Sequence, residues 1–142
     1  MKSSTSDIIH EANKQNMKFK INPFPCVRTT GKNWRFTPRA KEYHNKMNHL
    51  RLLMTNKEWM MQWLIDWDYE LIFNIEMPKS WSEKKKNLMR FEAHRATPDI
   101  DNIFKAVTDT LFYWQKKYND SAIYKMNATK IRSDEWSIEL YY

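Results

Sequence analysis

The sequence predicts an α+β fold, a small mixed sheet packed with helices. Three observations predict it. Stretches alternating apolar with polar residues and stretches with apolar residues three and four apart share one chain. The changeovers between them carry breakers or caps, such as Pro78 or Thr37-Pro38. The length of 142 residues, with 42% hydrophobic and 29% charged residues, suits one soluble domain with a real core and is too short to expect two.

The elements follow in chain order. Residues 1–16 are polar and unpatterned and are expected to form a flexible extension; the folded domain is expected over 17–142. "MKFKINPFP", from Met17, alternates like a strand that stops at Pro23 and Pro25. A loop follows in which Arg28, Lys32 and Arg35 sit among Trp34 and Phe36. Cations interleaved with aromatics fit phosphates and bases, and equally an ordinary solvated loop.

Thr37 as N-cap and Pro38 at the first helical position start a helix that runs to about Met54, with Met47, Leu50 and Met54 on its inner face. Lys57 to Trp67, rich in Trp and Met, reads as a second helix used for packing. Tyr69 to Met77 is the clearest strand: Tyr69, Leu71, Phe73, Ile75 and Met77 face one way, and Glu70, Asn74 and Glu76 the other. Ser80 and Glu83 read as a capping box opening a short helix through Arg90. Its Lys84, Lys85 and Lys86 are consecutive, so a solvated face comes first and phosphate contact second. A helix is expected from Asn102 to Lys117. Strands Ala122 to Arg132 and Trp136 to Tyr142 are expected to close the chain as an antiparallel hairpin.

Charge narrows the function. Lys and Arg number 24 against 17 Asp and Glu, a net charge of +7 that suits a polyanion such as nucleic acid. Cys26 is the single cysteine, which excludes an internal disulfide and fits a reducing compartment. No stretch reaches the ~20 apolar residues of a membrane helix, and the N-terminus lacks the apolar core of a signal peptide. The expected location is the cytoplasm.

Within this basic chain, "TPDIDNIFKAVTD" and "YND" bring together Asp99, Asp101, Asp109 and Asp120 with one lysine, Lys105. If the chain stays extended through Asp101, alternation puts Asp99 and Asp101 on one side. Two carboxylates there repel unless a divalent cation lies between them, and oxygen ligands suit Mg²⁺. Asp101 or Asn102 could instead simply cap the next helix. A calcium loop counted from Asp99 fails, with Ile103 at position 5, Phe104 in place of Gly at position 6 and Thr110 at position 12. Lys105, placed in the first helical turn, opposes the helix dipole, so an anion near the helix start accounts for it better than helix stability does.

The run P-D-x-D-N-x-x-K-A-x-x-D, Pro98 to Asp109, followed by Asp120 and a strand, resembles the RusA family of Holliday junction resolvases. "FTPRAKEYH" from Phe36 and "MPKSWSEKKK" from Met77 are similar to segments of phage-type members, so the resemblance covers about residues 17–142. It implies a homodimeric endonuclease, dependent on Mg²⁺ with Mn²⁺ as a possible substitute, that cuts four-way or other branched DNA by paired symmetric nicks. It implies Asp99, Asp101 and Asp120 as metal-binding catalytic acids, Lys105 as the catalytic lysine and Asp109 as a structural acid. DNA contacts are expected at Arg28, Lys32, Arg35, Lys84, Lys85 and Arg95. Members often carry Asp-Asp where this chain has Asn119-Asp120, so the first acid of that pair is absent here and the second is Asp120. A phage or prophage origin in a bacterial cell, and a role in recombination, repair or phage DNA processing, follow by the same resemblance. The rival readings are a junction- or duplex-binding protein with a structural metal site, and a nuclease for flaps.

One geometric expectation concerns Asp120. An unbroken helix of about 15 residues between Asp101 and Asp120 would span ~22 Å. Asp120 would then reach the other acids only from a partner subunit, giving composite sites in a dimer.

Overall fold

The computed structural model describes residues 15–27 and 37–142. They form two compact units. One holds residues up to 23, 68–95 and 127–142; the other holds 24–67 and 96–126. The first unit carries the sheet and one short helix. The second carries the other helices and all the acids singled out above.

The sheet unit is built from β1 (Asn16–Phe19), β2 (Glu70–Glu76), β3 (Ala128–Ser133) and β4 (Ser137–Tyr141), in the order β1-β4-β2-β3. β4 runs antiparallel to both β1 and β2, whereas β2 and β3 are parallel. The mixed sheet agrees with the α+β expectation. The β1 pairing extends back to Gln15, which exchanges both backbone hydrogen bonds with Tyr142 at 2.9 Å; the residues before it lie outside the described part.

The closing hairpin is not formed. β3 and β4 are adjacent in sequence, yet β2 lies between them. Strands sit about 4.8 Å apart, so skipping one requires ~10 Å. The link at residues 134–136 is long enough, at about 3.3 Å per residue. A tight hairpin would favour Gly or Asn at positive φ, which Asp134-Glu135-Trp136 does not supply. β2 offers a better neighbour to each strand: Leu71 and Phe73 stand opposite Leu140 and Ile138 and all four are buried. Each such side chain contributes about 2 kcal/mol by leaving water.

The other face of β2 is less exposed than alternation predicts. Asn74 is buried, and its amide donates to Ser137 Oγ at 2.9 Å and to Glu139 Oε1 at 2.8 Å. Glu139 also accepts from Asn16 and from the Tyr141 hydroxyl. Residues 91–94 run along the outer edge of β3, with Phe91 and His94 donating to the Arg132 and Lys130 carbonyls. That covers an edge which would otherwise invite pairing with another chain.

The short helix of this unit, α3 (Glu83–Met89), starts two residues later than the capping-box reading. Its N-cap is Ser82, whose hydroxyl accepts from Lys85 N at 3.2 Å. Trp81, next to that cap, lies under both Lys85 and Arg132, 4.1 and 5.2 Å from the ring centre. Lys84, Lys85 and Arg95 are exposed in this unit.

In the helical unit, α1 (Pro38–Leu53) begins as expected, with Thr37 Oγ1 accepting from Ala40 N and Pro at the first turn. Its buried face is Ala40, Tyr43, Met47 and Leu50. α2 (Lys57–Asp66) buries Met60, Met61 and Leu64. Spacing of three and four residues predicts a buried stripe of Ile103, Val107, Leu111 and Trp114. α4 (Ile100–Phe112) buries the first three, with Phe104, Ala106, Thr108, Thr110 and Phe112 besides, whereas Trp114 falls beyond the helix and is exposed. No helix among the described residues is long and apolar enough to cross a membrane.

Candidate active site

The acids are organised by α4. It starts at Ile100, with Asp99 as N-cap, φ −68° and ψ 142°. The extended run therefore ends at Asp99, and Asp101 is already helical. Strand alternation, the reason given above for pairing Asp99 with Asp101, does not apply; the two flank the first turn instead. Asp99 makes no side-chain cap hydrogen bond, whereas Asp101 Oδ1 accepts from Asn102 N at 2.9 Å. Both side chains are exposed.

The earlier start also moves Lys105 into the second turn, so the dipole argument weakens there. A different pattern appears. Asp101, Lys105 and Asp109 are four residues apart and so lie along one helix stripe. At 3.6 residues per turn it lies on roughly the opposite side of the helix from the buried Ile103, Val107 and Leu111. Lys105 Nζ binds Asp109 Oδ1 at 2.8 Å.

Asp120 meets the same ammonium. Lys105 Nζ stands 3.1 Å from Asp120 Oδ2 of its own chain. The expected helix to Lys117 is cut short at Phe112, which removes the unbroken helix on which the expectation of a partner's Asp120 rested. Gln115 makes the reversal. Its amide nitrogen donates to the Phe112 and Tyr118 carbonyls at 3.1 and 2.8 Å, and its amide oxygen accepts from Tyr118 N at 2.8 Å. Asn119 then caps a single 3₁₀ turn, Asp120–Ala122, by accepting from Ser121 N. Asn119 thus has a structural task that an amide performs. A cleft of about 410 Å³ opens here, lined by Asp109, Phe112, Tyr113, Lys116, Tyr118 and Asp120 among others.

Asp109 is held from behind. Its Oδ2 accepts from the Tyr43 hydroxyl at 2.9 Å and from the Cys26 thiol at 3.5 Å. Sequence reasoning missed both donors. A signal existed for Tyr43: it falls on the buried face of α1 with Ala40, Met47 and Leu50, and a buried phenol requires a partner. Nothing in the sequence points to Cys26.

These contacts fix protonation. The hydrogen bond to Asp109 is the main reason the Lys105 ammonium holds its proton well above the usual 10.5; partial burial opposes it, and Asp120 adds to it. Burial, then the Asp109 charge, pushes the Tyr43 phenol far up. Burial likewise pushes the Cys26 thiol up. Across neutral pH the cluster is therefore an ammonium, a phenol and a thiol directed at carboxylates.

Among the described residues, no three His, Cys, Asp or Glu side chains converge at metal-ligand spacing. The donor chemistry of Asp99, Asp101 and Asp120 nevertheless fits a hard cation, since all are carboxylates, and Asp99 spends no oxygen on its cap. Of the expected DNA contacts, Arg28, Lys32 and Arg35 lie outside the described residues. Lys84, Lys85 and Arg95 belong to the sheet unit.

A chain of net charge +7 that surrounds one lysine with acids has the means to attract a polyanion and to handle cations at the point of contact. That combination suits the class of proteins that act on nucleic acid. The sequence matches the family model for endodeoxyribonuclease RusA over residues 19–141, and the chain belongs to that family. A comparison with curated proteins finds no match.

Proposed function

We propose that the protein is a divalent-metal-dependent endonuclease that resolves four-way DNA junctions by paired symmetric nicks, during recombination, repair or phage DNA processing. The observation that carries this reading is the Lys105 ammonium, 2.8 Å from Asp109 and 3.1 Å from Asp120, on the stripe that Asp101 begins, in a chain of the RusA endodeoxyribonuclease family. Asp99, Asp101 and Asp120 would hold Mg²⁺, or Mn²⁺ in its place. Such an ion, when bound, polarises a scissile phosphate and acidifies a water molecule.

The chain's own groups do the rest. Lys105, kept charged, neutralises negative charge developing on the phosphate or leaving oxygen. The N-terminus of α4 favours the same anion. Arg28, Lys32, Arg35, Lys84, Lys85 and Arg95 supply backbone contacts that hold DNA whatever its sequence.

The test is a labelled four-way junction compared with a flap and a linear duplex, in Mg²⁺ and in chelator. Junction cleavage requiring the metal is expected. A gel shift without cleavage would make this a binding protein, and preferential cutting of the flap would change the substrate.

A symmetric junction requires two cuts, which a two-fold dimer supplies. The doubling back at Gln115 leads to a definite expectation for such a dimer. Asp99→Asn and Asp120→Asn proteins, mixed until their subunits exchange, should stay inactive, because each mutation damages the site of its own chain. Nicking that returns on mixing would mean that Asp120 acts across the dimer.

A further inference from the structure

We infer that Tyr43 is a positioning residue of this nuclease, setting through Asp109 where the Lys105 ammonium stands. The inference rests on the reading of Lys105 given above. Asp109 has two oxygens with separate tasks. Oδ1 pairs with Lys105, and Oδ2 takes the Tyr43 hydroxyl and the Cys26 thiol. A carboxylate held at one oxygen only could swing about its χ2 torsion, and Lys105 would follow it. With both oxygens engaged the carboxylate plane is fixed. Lys105 then moves only within the reach that Asp109 and Asp120 leave it.

Tyr43 suits this task. It is 6% exposed, and its ring meets Phe24 edge-on with centroids 6.0 Å apart. Its backbone belongs to a 16-residue helix whose buried face it shares with Met47 and Leu50. The backbone also ties the second donor in place: Cys26 N donates to the Asn102 carbonyl, on the first turn of α4, at 2.9 Å. The hydroxyl therefore comes from a rigid element, and the lysine that it governs stands on another. No part of Tyr43 lines the cleft beside Asp120.

Tyr43→Phe removes the hydroxyl and keeps the ring. Two readouts separate positioning from general stability. The first is the rate at which Lys105 is labelled by an amine reagent without DNA, followed by mass spectrometry with the other lysines as internal controls. The second is junction cleavage, split into binding and single-turnover rate. The expected result is Lys105 labelling several-fold faster, other lysines unchanged, a single-turnover rate about tenfold lower and junction affinity unaltered. Unchanged Lys105 labelling would overturn the inference, as would faster labelling with an unaltered rate. Cys26→Ala removes the weaker donor and should raise Lys105 labelling by a smaller factor; it serves if Tyr43→Phe does not fold. Lys105→Met separates the two levels of the argument. If that variant still cuts junctions at the normal rate, the catalytic reading of Lys105 fails, whatever Tyr43→Phe does to the labelling.

Discussion

Asp101→Asn is expected to abolish junction cleavage, lowering the rate about 1,000-fold or more, a barrier increase of about 4 kcal/mol. The substitution is unusually clean. The hydrogen bond that Asp101 makes inside the protein is to Asn102 N, and an asparagine oxygen accepts it equally well. What disappears is one negative charge, and with it the affinity for a divalent cation. Asp99→Asn should act the same way, because Asp99 makes no cap hydrogen bond for the helix to lose. Asp120→Asn should also lose cleavage, with a weaker hold on Lys105 besides. Junction affinity, set by the basic surface, should persist in all three. Single-turnover cleavage and fluorescence anisotropy on the same labelled junction measure the two effects; normal cleavage in any one variant removes that residue from the site.

Lys105→Ala is expected to lower the rate about 100- to 1,000-fold, the scale of removing one preorganised electrostatic group. The Mg²⁺ concentration for half the residual rate should change little, since no ligand is removed. A loss that excess Mg²⁺ fully restores would mean that Lys105 serves metal binding and not the phosphate. The pH dependence follows from the raised position of this lysine. Its charge is complete below the ordinary 10.5 and is lost only as pH climbs through the higher folded value. The stability it contributes by pairing with Asp109 and Asp120 follows the same course. The wild type should therefore show no alkaline fall in rate from Lys105 near 10.5. Asp109→Asn removes the main cause of that hold and should bring the alkaline fall to lower pH.

The local pieces of this fold were legible because local chemistry specifies them. Thr37-Pro38 marks a helix start in any context, and the alternation from Tyr69 to Met77 marks a strand. The spacing of Ile103, Val107 and Leu111 marks a buried face. The family motif named the acids and Lys105 as a set, of which the structure joins Lys105, Asp109 and Asp120. Their arrangement was not legible, for two physical reasons. Helix ends depend on competing side-chain hydrogen bonds, and Gln115, an ordinary helix former by propensity, ends α4 by closing a turn on the Phe112 and Tyr118 carbonyls. Strand partners depend on what else is available to pair. β3 and β4 look like a hairpin only while β2 is left out. The Tyr43–Asp109 contact joins residues 66 apart in sequence, a distance that no periodicity reports.

The insertion of β2 between β3 and β4 bears on how the sheet is assembled. Only three residues separate β3 from β4, so the two strands can meet readily in the unfolded chain. Each such meeting occupies the hydrogen bonds that β2 must take up from both sides. The native sheet waits for partners more than fifty residues apart, Leu71 with Ala128 and with Leu140. Topologies of that kind fold slowly, because the entropy of closing long loops is lost before the distant contacts repay it. The lack of a turn-forming Gly or Asn between β3 and β4 thus keeps the rival pairing short-lived, and the sequence of that link acts on the rate of folding as much as on its outcome.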